Sequence, residues 1–372
     1  MFSDKIKGSL GFGCMRLPML ENGDTKIVDK DEMCRMIDAF MDAGFNYFDT
    51  AHGYLGGKSE MAIRDCLSSR YDREAFVLAD KISYWYIEKE EDIIPLFEKQ
   101  LEACGVDYFD FYLFHCLNHE AYAKHKRCNT FEVVKKLKEQ GKIKHIAMSF
   151  HDTADFLDLI LTEQPYMEAV QLQFNYLDYD DPSVQSKACY DVAVKHGKKV
   201  IVMEPVRGGV LANLPEEAAE EIKKLGKGSQ ASYALRYVAS YPEVFMVLSG
   251  MGNMEMMNDN IKTFTDFKPV DDKEIRTLDT IRGIIRKVRQ IPCTKCNYCA
   301  EVCPRDIPIS ELFYIHNELV GAKISRKEAK EKFEPYREKI ESCIKCGKCE
   351  SNCPQSIKIR ESLEKIGKFV KG

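Results

Sequence analysis

At 372 residues the chain has room for one large domain and a small one. With 45% hydrophobic and 30% charged residues and a net charge of −5, it gives no sign of a nucleic-acid partner. No apolar run is long enough to span a bilayer, and the opening Met1–Lys7 lacks the apolar stretch of a secretory leader, so a cytoplasmic protein without a membrane partner is expected.

The first 270 residues alternate short apolar runs with segments of helical period. The runs fall near 8–13, 45–49, 75–81, 108–115, 143–149, 168–173, 198–203 and 244–249. Between them Lys30–Ala43, Asp92–Cys104, Thr130–Gln140 and Val184–His196 read as helices; Phe131, Val134 and Leu137 share one face. Eight strands each followed by a helix predict a (β/α)₈ TIM barrel, α/β in class. An open doubly wound sheet would want a G-x-G-x-x-G after an early strand, and none occurs.

In such a barrel the chemistry lies at the C-terminal strand ends. Those ends read Asp49, Lys81, His115, Ser149, Gln171 and Gln173, Glu204 and Ser249. Any one alone is an ordinary hydrogen-bonded strand end or helix cap. Asp49 closing a buried strand needs a partner, and Lys81, closing Val77-Leu78-Ala79-Asp80-Lys81, offers it. Tyr54, five residues after Asp49, is a phenol whose proton such a cation makes easier to release. His52 is expected to make only a loop hydrogen bond. Trp85, in Ser83-Tyr84-Trp85-Tyr86, either walls a pocket or packs its loop. The basic stretch Cys116–Asn129, with His119, Lys124, His125, Lys126 and Arg127, reads as solvated charge.

Asp49-Thr50-Ala51 with Tyr54, then Lys81 and His115, match in order and spacing the catalytic tetrad of the aldo-keto reductase superfamily, which residues 5–268 resemble. Gly141–His151 resembles its fifth strand and Gln171–Asn175 its sixth. Glu204-Pro205-Val206-Arg207-Gly208-Gly209 resembles the loop over the cofactor pyrophosphate in the branch with iron–sulfur tails. The resemblance implies hydride transfer between NAD(H) or NADP(H) and a small carbonyl or alcohol. Tyr54 would be the general acid, Lys81 held by Asp49 would tune it, and neutral His115 would orient the carbonyl oxygen. Ser149 and Gln171 would hold the nicotinamide carboxamide. Glu204, Gly208, Gly209, Ser249, Gly250, Gly252, Asp259 and Asn260 would meet the rest of the cofactor. Members preferring NADPH usually place basic residues after strand eight, but Gly250–Asn260 carries no Lys or Arg, so NADH is expected.

Seven of the fifteen cysteines are scattered through residues 1–270 and read as ordinary thiols. The other eight form two copies of C-x₂-C-x₂-C-x₃-C-P, Cys293, Cys296, Cys299, Cys303 and Cys343, Cys346, Cys349, Cys353. Net charge shifts from −11 over 1–270 to +6 over 271–372, which divides the chain into a barrel (1–270) and a tail (271–372). The spacing is that of two [4Fe–4S] clusters in which each fourth cysteine serves the other cluster; paired C-x₂-C zinc sites are the weaker reading. Ile309–Val320 and Ser325–Ser342 read as helices between the copies, with a capping box at Ser325/Glu328 and a break at Pro335. The tail thus resembles the α-helical ferredoxins of large redox enzymes, joined to the barrel by a helix over Lys273–Arg289.

Electron exchange with an external ferredoxin or flavodoxin is the expected role of the clusters. A flavin mononucleotide could occupy a barrel phosphate site, but no flavin fingerprint is present. Two other readings stand beside this one: a redox-regulatory or electron-transfer protein whose barrel only binds nucleotide, and clusters that are purely structural.

Overall fold

The computed structural model describes residues 2, 5–22, 25–226, 228–288 and 290–371. By its internal packing the chain divides into two compact units, Met1–Pro205 with Ala231–Val270, and Val206–Gln230 with Asp271–Gly372. The segment 206–230, read from sequence as part of the barrel, therefore packs with the tail.

Among the described residues the first unit has ten strands: β1 (Leu10–Gly13), β2 (Met19–Asn22), β3 (Thr25–Val28), β4 (Tyr47–Asp49), β5 (Val77–Ser83), β6 (Phe109–Leu117), β7 (Ile143–Phe150), β8 (Ala169–Gln173), β9 (Lys199–Met203) and β10 (Val244–Ser249). Eight of them close a parallel barrel in the order β1-β10-β9-β8-β7-β6-β5-β4. These are the eight apolar runs of the sequence. The antiparallel hairpin β2–β3 was not among them. Its Leu20 and Ile27 stay exposed, so it leaves no buried apolar run to recognise.

Because side chains alternate along a strand, residues two apart share a face. Tyr47, Ala79, Leu113, Ala147 and Ala169 form part of one buried apolar cluster inside the barrel. Two residues further along each of those strands stand Asp49, Lys81, His115, Ser149 and Gln171. The barrel is thus plugged by apolar side chains and rimmed by a polar layer one step towards its C-terminal face. β5 and β6 run two residues beyond the ends read from sequence, pairing Ser83 with His115. Lys81 and His115 are consequently inside their strands, where the ladder holds their backbones.

In the second unit, helix Asp272–Lys287 begins with a capping box, Asp271 accepting from Glu274 N and Glu274 from Asp271 N. It buries Leu278, Ile281, Ile284 and Ile285 and packs on helix Glu216–Lys223. Its expected last residue, Arg289, lies outside the described residues. The expected helix Ile309–Val320 forms as read. Ser325 and Glu328 make their capping box. Pro335 falls in a 3₁₀ turn joining Arg326–Phe333 to Arg337–Glu341, early in the turn, where its missing N–H is not needed.

Candidate active site and cysteine site

Asp49 and Lys81 meet at the centre of the polar layer, with Lys81 fully buried and Asp49 nearly so. Lys81 Nζ donates to Asp49 Oδ1 at 2.5 Å and to the Thr50 carbonyl at 2.6 Å, while Gln171 Nε2 donates to Asp49 Oδ2 at 3.1 Å. Burial alone would lower the Lys81 amine, but Asp49 and then Tyr54 outweigh it and hold the amine above its ordinary value. Burial also raises the Asp49 carboxyl, against the pull of Lys81. The charged pair is favoured, because both carboxylate oxygens and two ammonium protons have close partners.

Tyr54 stands at the start of a short 3₁₀ segment, Tyr54–Gly57, entered through Gly53 in the left-handed region. A side chain at Gly53 would collide with the Tyr86 hydroxyl, so that turn needs glycine. Lys81 Nζ lies 5.0 Å from the centre of the Tyr54 ring, and the rings of Tyr54 and His115 are 5.7 Å apart at 76°. His115 is buried, and burial followed by the Lys81 charge pushes it well below its ordinary range, which keeps it neutral. Ser83 Oγ and His115 Nδ1 share a hydrogen bond of 2.6 Å. Ser83 was passed over in the sequence; its place two residues after Lys81 was the available signal. The Trp85 ring is edge-on to His115 at 5.4 Å, so it lies beside the tetrad rather than packing only its own loop.

The expected cofactor residues of the first unit are distributed over several strand ends. Ser149 Oγ accepts from Cys116 N at 2.7 Å. Asn260 Nδ2 donates to Ser249 Oγ at 2.7 Å. Gln171 is engaged with Asp49, as above, whereas Gln173 turns aside to Asp178 at 2.8 Å. Glu204 holds a left-handed backbone (φ 55°), its carbonyl accepts from Asn175 Nδ2, and its carboxylate pairs with Arg16 at 3.6 Å. Gly250 and Gly252 lead into helix Met254–Thr265, which also carries Asp259. A side chain at Gly250 would press on Arg16 Cβ at 3.2 Å, which puts Arg16 against this segment. In the second unit, Gly208 and Gly209 both take positive φ, and a side chain at Gly208 would strike the Thr294 carbonyl at 2.6 Å. Ser149 and Gln171 bring a buried hydroxyl and a buried amide to this polar layer, the donor and acceptor types that a nicotinamide carboxamide needs.

His52 makes the expected loop hydrogen bond, to Glu60 at 2.9 Å. The basic stretch after β6 is not simply solvated charge. It forms helix His119–Arg127, whose Ala121, Tyr122 and His125 are buried, His125 edge-on to Phe114 at 5.2 Å. The i, i+1, i+4 spacing of these residues carried that signal beneath the charges.

The two cysteine repeats fold alike. Lys295, Asn297 and Asp306 in the first copy have positive φ, and so do Lys345, Gly347 and Ser356, each fifty positions later. Helices Tyr298–Glu301 and Lys348–Ser351 follow the second of these, and the longer helices begin at Ile309 and Ile359. Left-handed residues on both sides of Cys296 and Cys346 fold each C-x₂-C-x₂-C into a tight loop. Cys303 lines one hollow together with Cys343, Cys346 and Cys349. The Cys299 thiol is pushed up by burial first and then by Cys296, Cys293, Cys353 and Cys349, so thiols of both repeats lie about it. Four thiols gathered about one hollow, one of them from the other repeat, fit an iron–sulfur cube.

The family model for the aldo/keto reductase family matches residues 9–282, and a 4Fe-4S dicluster domain matches residues 289–357. The chain belongs to the aldo/keto reductase family of oxidoreductases and carries a 4Fe-4S dicluster domain later in its sequence. An uncharacterized oxidoreductase, YqkF, from Bacillus subtilis is 22% identical over 75% of this chain and 94% of its own length. The 9,11-endoperoxide prostaglandin H2 reductase of Trypanosoma cruzi is 24% identical over 72% of this chain and 88% of its own. Among solved structures, holo aldo-keto reductase AKR11C1 from Bacillus halodurans superposes with a TM-score of 0.58 at 23% identity, covering 73% of this chain and 91% of that one. An aldo-keto reductase from Klebsiella pneumoniae in complex with NADPH gives 0.57 at 19%, covering 74% and 90%. Among the described residues no helix is long and apolar enough to cross a membrane.

Proposed function

We propose that the barrel interconverts a small carbonyl compound and its alcohol, with Tyr54 as proton donor and acceptor, and that the tail's eight cysteines hold two [4Fe–4S] clusters. The observation that carries this is a fully buried amine, Lys81, fixed by Asp49 and set beside the Tyr54 ring. A barrel that only bound nucleotide would have no use for so costly a charge next to a phenol. When bound, a nicotinamide supplies the hydride. Tyr54 would give its proton to the carbonyl oxygen as charge develops there, and Lys81 would stabilise the phenolate left behind. In this reading Ser83 would donate to Nδ1, and His115 would carry its proton on Nε2 and orient the oxygen by donating to it. Ser149 and Gln171 would hold the carboxamide, and Trp85 would wall the substrate side.

NADH is the expected cofactor. The arginines that the fold brings towards the segment after β10 are each paired with an acid, Arg16 with Glu204 at 3.6 Å and Arg35 with Glu32. Glu32 itself accepts the first amide of helix Met254–Thr265, the place where an added phosphate would otherwise be welcome. Dissociation constants for the two cofactors test this; tighter binding of NADPH than of NADH refutes it.

Crossed ligation is part of the proposal: Cys293, Cys296, Cys299 with Cys353, and Cys343, Cys346, Cys349 with Cys303. Clusters held there would supply one-electron transfer, whereas a nicotinamide gives up an electron pair. Exchange with an external carrier such as a ferredoxin or flavodoxin is therefore the expected use. Cys346, an exposed cysteine of the eight, marks the side from which a carrier would approach. NADH added anaerobically to flavin-free, cluster-replete protein should leave the broad visible absorbance unbleached. Rapid bleaching without substrate, flavin or partner overturns this part of the reading.

A further inference from the structure

Behind the strand that carries Lys81 lies a second group of titratable side chains for which carbonyl chemistry has no use. Lys81 faces the barrel axis, so its neighbour Asp80 faces outward, towards helix Ile93–Cys104. There it meets Glu60, from the first turns of helix Lys58–Ile63, and the two carboxyl groups face each other. Both are buried, and together with Cys104 they bring their polar atoms within 4.8 Å of one another. Glu60 also shares a hydrogen bond of 2.9 Å with His52 Nδ1. Asp80 Oδ1 accepts from Lys81 N at 2.7 Å, and Cys104 Sγ donates to Asp80 Oδ2 at 3.7 Å. Gln100 is fixed in turn, donating to the Lys81 carbonyl at 3.0 Å and accepting from Tyr112 Oη at 2.6 Å.

Two carboxylates this close inside a protein cannot both ionise without a cation between them. The cations facing this pair are elsewhere engaged or outside: Lys81 is spent on Asp49, and Lys99 is exposed. The remaining titratable groups around the pair are His52 on the loop, Cys104 on the helix and Tyr112 on β6. None of these is a permanent positive charge.

We propose that Glu60 and Asp80 share a proton and, as a pair, position Tyr54 against Lys81. Tyr54 sits on the segment between β4 and helix Lys58–Ile63, in which Gly53, Leu55, Gly56 and Gly57 all have positive φ. Such a segment takes its shape from its fastenings more than from its own backbone. Its fastenings include the packing of Glu60 against Asp80, His52 with Glu60, Thr50 Oγ1 with Ser59 Oγ at 2.8 Å, and Ser59 Oγ to the Cys14 carbonyl at 2.8 Å. Glu60 is tied to the residue directly before Lys81. Proton donor and cation are therefore registered to each other through the carboxyl pair as well as through the barrel. If the shared proton is lost, two negative charges face each other, and the helix start that follows Tyr54 is pushed from β5.

The sign follows from burial. Burial raises both carboxyls in the folded chain, Glu60 to about 7 and Asp80 well above its ordinary value. An unfolded chain releases these protons at lower pH than the folded one. The pair's contribution to stability is therefore full below the ordinary carboxylate range and declines as pH rises towards and through neutrality. Asp80→Asn keeps the shape and removes one of the two titrating carboxyls, so it should lessen that decline.

The test uses full-length, cluster-replete protein. Infrared spectra at neutral pH should contain the carbonyl stretch of a buried, protonated carboxylic acid, lost in Asp80→Asn and altered in Glu60→Gln. Glu60→Ala should lower kcat by roughly ten- to a hundredfold, as misplacement of a reacting group does, with the nicotinamide Kd unchanged. Glu60→Gln should restore most of that loss. The phenol titration of Tyr54, read as the ultraviolet difference between wild type and Tyr54→Phe, should move in Glu60→Ala and return in Glu60→Gln. Only the kcat arm rests on the function proposed above; the infrared and phenol readings stand without turnover. Absence of the acid band, or a Tyr54 titration unmoved by Glu60→Ala, overturns the proposal. If Glu60→Ala does not fold, the infrared comparison with the two isosteric variants decides it.

Discussion

Tyr54→Phe should lower carbonyl turnover by about 10²–10⁴, the share a positioned general acid ordinarily supplies. Nicotinamide binding should stay near that of the wild type, because the phenol provides the proton and not the grip. The ring itself remains, so its packing beside Lys81 and His115 is kept. Lys81→Met should abolish turnover too, but with a second consequence. It strands Asp49, a buried carboxylate, and breaking a buried pair in this way costs about 3–5 kcal/mol. Tyr54→Phe should therefore be an intact, inactive protein and Lys81→Met a destabilised one. Steady-state rates, cofactor titration and thermal melting of the two variants separate these outcomes. Turnover retained in Tyr54→Phe removes Tyr54 from the mechanism.

Cys303→Ala should cut the anaerobically measured iron from about eight atoms per chain to about four. Which four are lost is settled by combining variants. In the crossed arrangement Cys303 serves the same cluster as Cys343, so Cys303→Ala with Cys343→Ala should lose no more iron than either change alone. If each repeat instead kept its own four cysteines, the double variant would strike both clusters and its iron would fall towards zero. The prediction rests on Cys303 lining one hollow with Cys343, Cys346 and Cys349. Stoichiometric zinc in the wild type would discard the iron–sulfur reading outright.

Much of this molecule was legible in the sequence because its signals are local. All eight barrel strands announced themselves as apolar runs, since parallel strands buried on both faces must be apolar along their length. The cysteine repeat was plainer still, because a cube's corners demand fixed short spacings, and the repeat extends into matching left-handed residues such as Asn297 and Gly347. Asp49, Lys81 and His115 stood out as polar residues closing apolar runs. The hairpin Met19–Asn22/Thr25–Val28 was illegible for the converse reason, having little to bury.

Tertiary structure decided what depends on residues far apart in the chain. Ser83 gains meaning only when β5 and β6 register it opposite His115. Arg16 reaches the segment after β10 because β1 and β10 are neighbours across the barrel closure. The segment Val206–Gln230 goes with the tail because its helix packs on Asp272–Lys287, a partner fifty residues away. Glu60 and Asp80 were unremarkable acids in the sequence, twenty positions apart. Folding removes both from water and sets them face to face, and the energy of that meeting lies in burial and distance. Neither quantity is written in a single residue or its neighbours. The sequence alone thus determined the barrel and the two cysteine repeats and singled out Asp49, Tyr54, Lys81 and His115, and the fold alone decided which side chains surround them.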